Sequence, residues 1–435
     1  MPKPELTRRA IAPKRNSAGR PGDAFRYPPP RPRHPRGWLR HYASFLSPDA
    51  AAGMKVILER DREQRLRRLS TAARDRVDQR RKPTRGRMRA LRITPGGRLR
   101  FRDVPAPEDP GPDGALVRPI ASSTCDIDRH IALGIQPFAL PLHLGHECVA
   151  EVIAVGERVT GVKAGDQVIV PFQISCGRCG ACRAGRTGNC TSVPPVSMYG
   201  MGLTAGHWGG AFSDQLAVPY ADAMLVALPE GVDPVAAASL ADNICDAYRH
   251  IAPHLPGLLA DDPGAEVLIL ASMGRRATFS ASTPLYTGLV ARALGARNVC
   301  LVDSRPPIRE HAERLGLRPL RPQELHGRAP APLVVDITLD RLALALSSTA
   351  PDGICSSGSL HRRAHIPTLL MYVRNVTLHC GRVHARSLIP EIITLMQDGR
   401  FKPEAVITAV APLDEAPAVL REHVLEGGVK AVLTA

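Results

Sequence analysis

No stretch of about 18 consecutive apolar residues occurs in this 435-residue chain, and the most apolar windows, 236–240 and 267–271, are short. A membrane-spanning helix is therefore excluded and a soluble protein is expected. Balance of charge is missing at one end only. Residues 1–87 hold 24 of the 57 Lys and Arg but 8 of the 41 Asp and Glu, a net of +16, while residues 88–435 carry 33 of each. This leader is proline-rich around Pro28, Pro29, Pro30, Pro32 and Pro35 and has few large apolar side chains. Such a segment cannot bury enough apolar surface to offset its ordering entropy, so it is read as a solvated, mostly disordered tail.

The leader also lacks the marks of an address. No apolar segment follows Arg8 and Arg9, which argues against twin-arginine export, and Glu59, Asp61, Glu63, Asp75 and Asp78 interrupt the basic run, which argues against an organellar transit peptide. Two alternatives stay open. Residues 57–81 could form a charged helix with Leu66, Leu69, Ala73 and Val77 on one face, touching nucleic acid or a partner. Met88 could be the natural start, because a compact domain pattern begins there. Overall the chain is 44% hydrophobic and 23% charged, a globular composition, and at about 150 residues per domain its length predicts two or three units.

Ten cysteines are present, and Cys176, Cys179, Cys182 and Cys190 are spaced CxxCxxCx7C within Gly- and Arg-rich sequence. Four thiolates on a short loop can surround one ion at about 2.3 Å, so this set predicts a closed, tetrahedral, structural zinc site. Disulfides are the poorer reading, because CxxC pairs in a neutral globular region without a signal-peptide pattern read as metal ligands. Thiolates that hold metal must stay reduced, which points to a reducing compartment, the cytoplasm. Upstream lies a second constellation, Cys125-Asp126-Ile127-Asp128-Arg129-His130 followed by Gly145-His146-Glu147. One thiolate and one imidazole are an incomplete zinc set, since a catalytic site takes three protein ligands and keeps a fourth position open. Taken alone, Cys125 is more often a packing thiol and His146 a satisfied core histidine.

The order CxxDxH, GHE, four-cysteine loop, then alternating strands and helices resembles the zinc-dependent medium-chain alcohol dehydrogenases across residues 88–435. Residues 150–170 (AEVIAVGERVTGVKAGDQVIV) and 209–220 (GGAFSDQLAVPY) look like further stretches of that family, and Pro412 to Ala416 and Lys430 also fit its pattern. The resemblance implies that Cys125 and His146 are catalytic zinc ligands and Glu147 a supporting or exchanging carboxylate. It implies a third ligand after a Leu-small pair and six residues before an aromatic; Leu240, Ala241, Asp242 and Tyr248 fit that frame, with Asp242 where many relatives have cysteine. A helix cap before residues 243–250 is the competing role for Asp242. Asp128 resembles the carboxylate that orients the histidine ligand, and His130 stands where a proton-relay histidine is often found, or is a solvated surface residue. Two departures are Ile127, where the family commonly has a hydroxyl that passes the alcohol proton outward, and Ala150 in place of glycine.

Residues 265–270 (AEVLIL) read as a strand buried on both faces of a parallel sheet. A glycine turn should follow, yet GxGxxG is absent and the loop is lengthened, with a helix predicted over residues 284–294. Gly274 and Arg275, with Arg276, are the candidates for gripping a pyrophosphate, or are plain loop residues. Residues 298–302 (NVCLV) form the next strand, ending in Asp303, an acid placed to accept from ribose hydroxyls and to disfavour a 2′-phosphate. NAD is therefore expected over NADP; Arg305 either leaves a case for NADP or pairs with Asp303. Strands at 332–337 and 353–358 continue the βαβ succession.

The expectation is an α/β protein. A GroES-like, mostly β catalytic domain (88–250 and 386–435) would accompany a doubly wound Rossmann-type cofactor domain (251–385). It would exchange a hydride between an alcohol, or its aldehyde or ketone, and NAD(P), with one catalytic and one structural zinc. Its expected partners are the small substrate and, by resemblance, further copies in a homodimer or homotetramer; neither membrane nor nucleic acid is expected. The alternatives are a zinc-stabilised family member that has lost efficient catalysis and serves as a binding protein, and nucleic-acid association through the leader.

Overall fold

A computed structural model describes residues 86–94, 97–133, 140–201, 208–274, 279–338, 340–358 and 364–435. Residues 1–85 of the leader, with the charged helix expected at 57–81, and Arg275 and Arg276 lie outside the described residues. Three sheets organise the rest. An antiparallel sheet orders β2 (Arg98–Pro105), β1 (Arg87–Thr94) and β4 (Leu142–His143). A seven-stranded sheet runs β15 (Ala409–Pro412), β16 (Ala431–Thr434), β3 (Ala115–Ser123), β5 (Glu147–Val155), β6 (Gln167–Val170) and β8 (Val226–Ala227), with β7 (Leu216–Val218) also on β3. Thus the chain's last strand returns to pair antiparallel with β3, Val432 opposite Ser123. Between these segments lies a parallel sheet ordered β11 (Arg318–Leu320), β10 (Asn298–Asp303), β9 (Glu266–Ser272), β12 (Ala331–Asp336), β13 (Thr349–Ser357) and β14 (Thr377–Cys380).

Numbered within itself, that sheet reads 3-2-1-4-5-6, the doubly wound order, with its switch point between β9 and β12. The two-residue side-chain period explains why its strands are continuous apolar runs. On β9, Val267 and Ile269 face one core with Leu301, Leu333 and Val335, while Leu268 and Leu270 face another with Cys300, Val302 and Val334. Helices cover both faces. Four helices position the functional residues: α1 (Asp126–Ala132), α2 (Asn243–Ile251), α3 (Ser282–Ala293) and α4 (Ala385–Gln397). Helix α3 starts two residues ahead of its predicted start, for a reason given below. The turn-forming residues Ala350, Pro351, Asp352 and Gly353 sit inside β13, where the register against β12 shifts and Asp352 takes a positive φ of 57°. Turn-forming residues there make a bulge rather than end the strand.

One close approach fixes the end of β5. Gly156 donates its N–H to the Gly114 carbonyl at 2.9 Å, and a Cβ on it would stand 1.9 Å from the Gly111 carbonyl oxygen and 2.5 Å from that of Pro112. All of these neighbours are backbone, so relief requires the chain itself to move. Gly156→Ala should destabilise the fold by about 3 kcal/mol or more, read as a fall in the urea midpoint; an unchanged midpoint would mean the 111–114 turn yields freely.

Candidate functional site

Cys125 caps the N-terminus of α1, directly after β3; His146 and Glu147 enter β5; Asp242 stands between a 3-10 turn (Ala238–Ala241) and α2. All four are buried, and one ligand atom of each lies within 4.8 Å of every other. Asp242 Oδ2 is 3.4 Å from Cys125 Sγ and 3.3 Å from His146 Nε2. The helix-cap role for Asp242 finds no support: it holds the N-cap position of α2, but its side chain makes no capping bond.

What surrounds the set is an excess of buried negative charge. Burial, then Asp242, Glu147 and Asp128, push the Cys125 thiol well up. Burial also opposes protonation of His146, but Asp242, Asp128 and Glu147 raise its pKa, and neither ring nitrogen has a partner of full hydrogen-bond geometry among the described residues. A thiol, an imidazole and carboxylates within 4.8 Å of one another are a donor set of the kind that can hold a divalent cation, and their chemistry suits zinc.

Glu147 is held differently from Asp242. Its Oε2 accepts from Lys430 Nζ at 2.6 Å and from Ser123 Oγ at 2.5 Å, and its Oε1 accepts from the Asn243 backbone N–H at 2.9 Å. Burial raises the Glu147 pKa, and the charge of Lys430 works against that rise. Lys430, with no exposed side-chain surface, also donates to Asn243 Oδ1 at 2.7 Å and to the Thr124 carbonyl. Burial works against its charge, yet Glu147, Tyr286 and Cys125 carry its pKa above the ordinary lysine value. Asn243 turns its amide N–H onto Cys125 Sγ at 3.0 Å. Sequence reasoning had Asn243 only as a helix residue and Lys430 only as part of a pattern; nothing local in the sequence links them.

The remaining predicted residues divide. Asp128 accepts from the Cys125 backbone N–H at 2.8 Å, while its other oxygen stands 3.9 Å from His146 Nδ1, too far for a hydrogen bond. Ile127 packs against the main core, so no hydroxyl occupies that place. His130 is 8% exposed and its ring lies 4.7 Å from that of Phe279, in the loop before α3; it is neither a solvated surface residue nor one of the four clustered residues.

The four-cysteine set is equally clear. Cys176, Cys179, Cys182 and Cys190 bring their sulfurs within 4.8 Å of one another, and all are free thiols. Backbone N–H groups point at them: Cys179 N at Cys176 Sγ (3.4 Å), Cys182 N at Cys179 Sγ (3.5 Å) and Cys176 N at Cys190 Sγ (3.4 Å). The N–H groups of Thr191 and Cys182 hold the Cys179 thiol down to about 5. Gly177 makes the turn at a φ of 72°, where a Cβ would meet Ala223 at 2.6 Å. The loop is tied to the segment leading into α4: Arg382 Nη2 donates to the Gly188 carbonyl (2.6 Å), the Gly188 N–H to His384 Nδ1 (3.2 Å), and Gln173 Nε2 to the Val383 carbonyl (2.9 Å).

At the carboxyl edge of the parallel sheet, Asp303 has no exposure and is chelated by Arg305, Nε to Oδ1 at 2.9 Å and Nη2 to Oδ2 at 2.7 Å, so the pairing alternative for Arg305 is the one observed. Gly274 is exposed and its carbonyl accepts from Ser304 Oγ at 2.6 Å. The N-terminal amides of α3 do not present an open cradle for a diphosphate, because the Asp126 carboxylate already engages them: Ser282 N donates to Oδ1 at 2.9 Å and Thr283 N to Oδ2 at 3.0 Å. That bond is why α3 begins at Ser282.

Removing the lysine tests the network. Lys430→Met should cost about 3–5 kcal/mol in chemical denaturation, since it strands the Glu147 charge in the interior. Adding Glu147→Gln should restore part of that loss; equal stability of the single and double variants would show the pair to be uncoupled.

Residues 111–230 match the model of the alcohol dehydrogenase GroES-like domain. The chain is 30% identical over 336 residues, 76% of its own length and 83% of the relative's, to a Mycobacterium tuberculosis protein named "Probable zinc-binding alcohol dehydrogenase". It is 30% identical over 232 residues, 51% of its length and 55% of the other's, to a glutathione-independent formaldehyde dehydrogenase of Pseudomonas aeruginosa. The solved structure of alcohol dehydrogenase TADH from Thermus sp. ATN1 matches with a TM-score of 0.69 at 27% identity, covering 80% of this chain and 99% of that one. With a GroES-like β domain, a doubly wound sheet and two clustered ligand sets, the chain belongs to the zinc-dependent alcohol dehydrogenase family, whose members use zinc and a nicotinamide cofactor.

Proposed function

We propose that the protein exchanges a hydride between a small alcohol and its aldehyde or ketone, with Cys125, His146 and Asp242 holding a catalytic zinc and Cys176, Cys179, Cys182 and Cys190 a structural one. The observation that carries this reading is the buried cluster of Cys125, His146 and Asp242, in which both histidine nitrogens lack a partner of full hydrogen-bond geometry among the described residues and the aspartate leaves its capping role to face them. Cys125, His146 and Asp242 would hold the zinc, which would supply Lewis acidity toward the substrate oxygen. The chain's own residues do the rest. Asn243 and Lys430 hold Cys125 and Glu147 in place, Asp128 anchors the Cys125 backbone, and the apolar packing of Ile127 keeps water from that flank.

NAD is the proposed dinucleotide, because a carboxylate at the end of β10 repels a 2′-phosphate and accepts from ribose hydroxyls once Arg305 gives way. The proposed setting is the cytoplasm, in keeping with ten free cysteines. A second copy is the proposed protein partner. Leu369, Tyr372 and Val373 are 74%, 81% and 71% exposed on the helix Thr368–Arg374, beside the edge strand β14. An apolar face next to a sheet edge that no described strand pairs is what a self-associating surface requires.

Metal analysis of the purified full-length chain should find two zinc ions. His146→Ala should bind one and lose at least about 10³-fold in kcat/KM while still unfolding in one cooperative transition; full activity in that variant would refute the catalytic assignment. Cys179→Ser should instead lose the other ion and melt earlier. By light scattering, Tyr372→Glu should shift the protein toward monomer; a wild-type chain that is already monomeric would overturn the proposed self-association.

A further inference from the structure

The geometry points to Asp126 as a built-in occupant of the diphosphate position, a single residue that holds the affinity for dinucleotides down; this rests on the dehydrogenase reading above. In a doubly wound fold the helix after the first strand aims its N-terminal amides at a ligand's pyrophosphate. Here that helix is α3, following β9. Its first amides are taken by a carboxylate from the other half of the molecule, 156 residues away in sequence for Ser282.

The engagement is complete. Asp126 Oδ1 accepts from Ser282 N (2.9 Å), from Ser280 Oγ (2.6 Å) and from the Ser282 hydroxyl, and Oδ2 accepts from Thr283 N (3.0 Å). The residue is 5% exposed. A carboxylate at a helix N-terminus is favoured by the partial positive charge there, for the same reason a phosphate would be. The two anions therefore compete for one set of donors, and a diphosphate approaching the amides also meets a like charge. The residues at the start of α3 suit this occupant: Ser280, just before the helix, and Ser282, its first residue, add hydroxyl donors that a carboxylate can use.

The contact also reaches the metal cluster. Ser282 Oγ lies 2.9 Å from Asn243 Oδ1, and the other end of that amide rests on Cys125 Sγ. Asp126 is itself the residue after Cys125. Cofactor entry that displaces Asp126 thus acts on the peptide next to a zinc ligand.

The test is calorimetric titration of the full-length, zinc-loaded protein with ADP-ribose, NADH and adenosine, for wild type, Asp126→Ser and the near-isosteric Asp126→Asn. Relief of the competition should tighten ADP-ribose and NADH binding roughly ten- to a hundredfold in both variants. Adenosine, which carries no phosphate, should bind alike in all three and so reports an intact nucleotide half. Unchanged or weaker ADP-ribose binding in both variants, with adenosine unaltered, overturns the inference, as does failure of every form to bind ADP-ribose. Zinc content measured on the same samples reports the metal assignment separately, so its failure is distinguishable.

Discussion

A lysine ammonium and a glutamate carboxylate, both sealed from water and 2.6 Å apart, join points of the chain separated by 283 residues. Two charges taken so far from solvent persist only where other polar groups complete their bonding, and each neighbour that does so is drawn into place. Glu147 orders the start of α2 through the Asn243 N–H, and Lys430 orders the Thr124 carbonyl beside Cys125. The ligand cluster is thereby assembled from three distant segments before any ion is considered. The same pair explains why β16 must return to β3, since Lys430 immediately precedes that strand.

Much of this was legible in the residues. The apolar run at 265–270 became β9 because continuous hydrophobicity matches a strand with a core on each face, and the CxxCxxCx7C loop closed as its spacing demands. Cys125, His146 and Asp242 were placed together only through family resemblance, since they come from three separate elements and no local pattern joins them. Lys430 and Asn243 were not assigned a role, because a buried lysine and a helix-starting asparagine look the same in sequence as exposed ones.

The departures carry equal information. Missing glycines after β9 implied a changed phosphate loop, but not that Asp126, the residue after Cys125, would bond the first amides of α3, a contact between segments more than 150 residues apart. Asp128 shows the reverse case. Its expected contact with His146 is a 3.9 Å approach, while its firm bond is to the backbone of its own turn, a local interaction of the kind acidic residues make at helix starts.

The loop of four cysteines sits far along the chain from α4 but is stitched to it. Arg382, Val383 and His384, three of the four residues between β14 and that helix, are gripped by Gly188 and Gln173. This is the stretch by which the chain leaves the parallel sheet to rejoin the β domain. Because Gly188 and Gln173 hold that crossing point, a substitution that loosens the cysteine loop also loosens the path by which the chain returns from the parallel sheet.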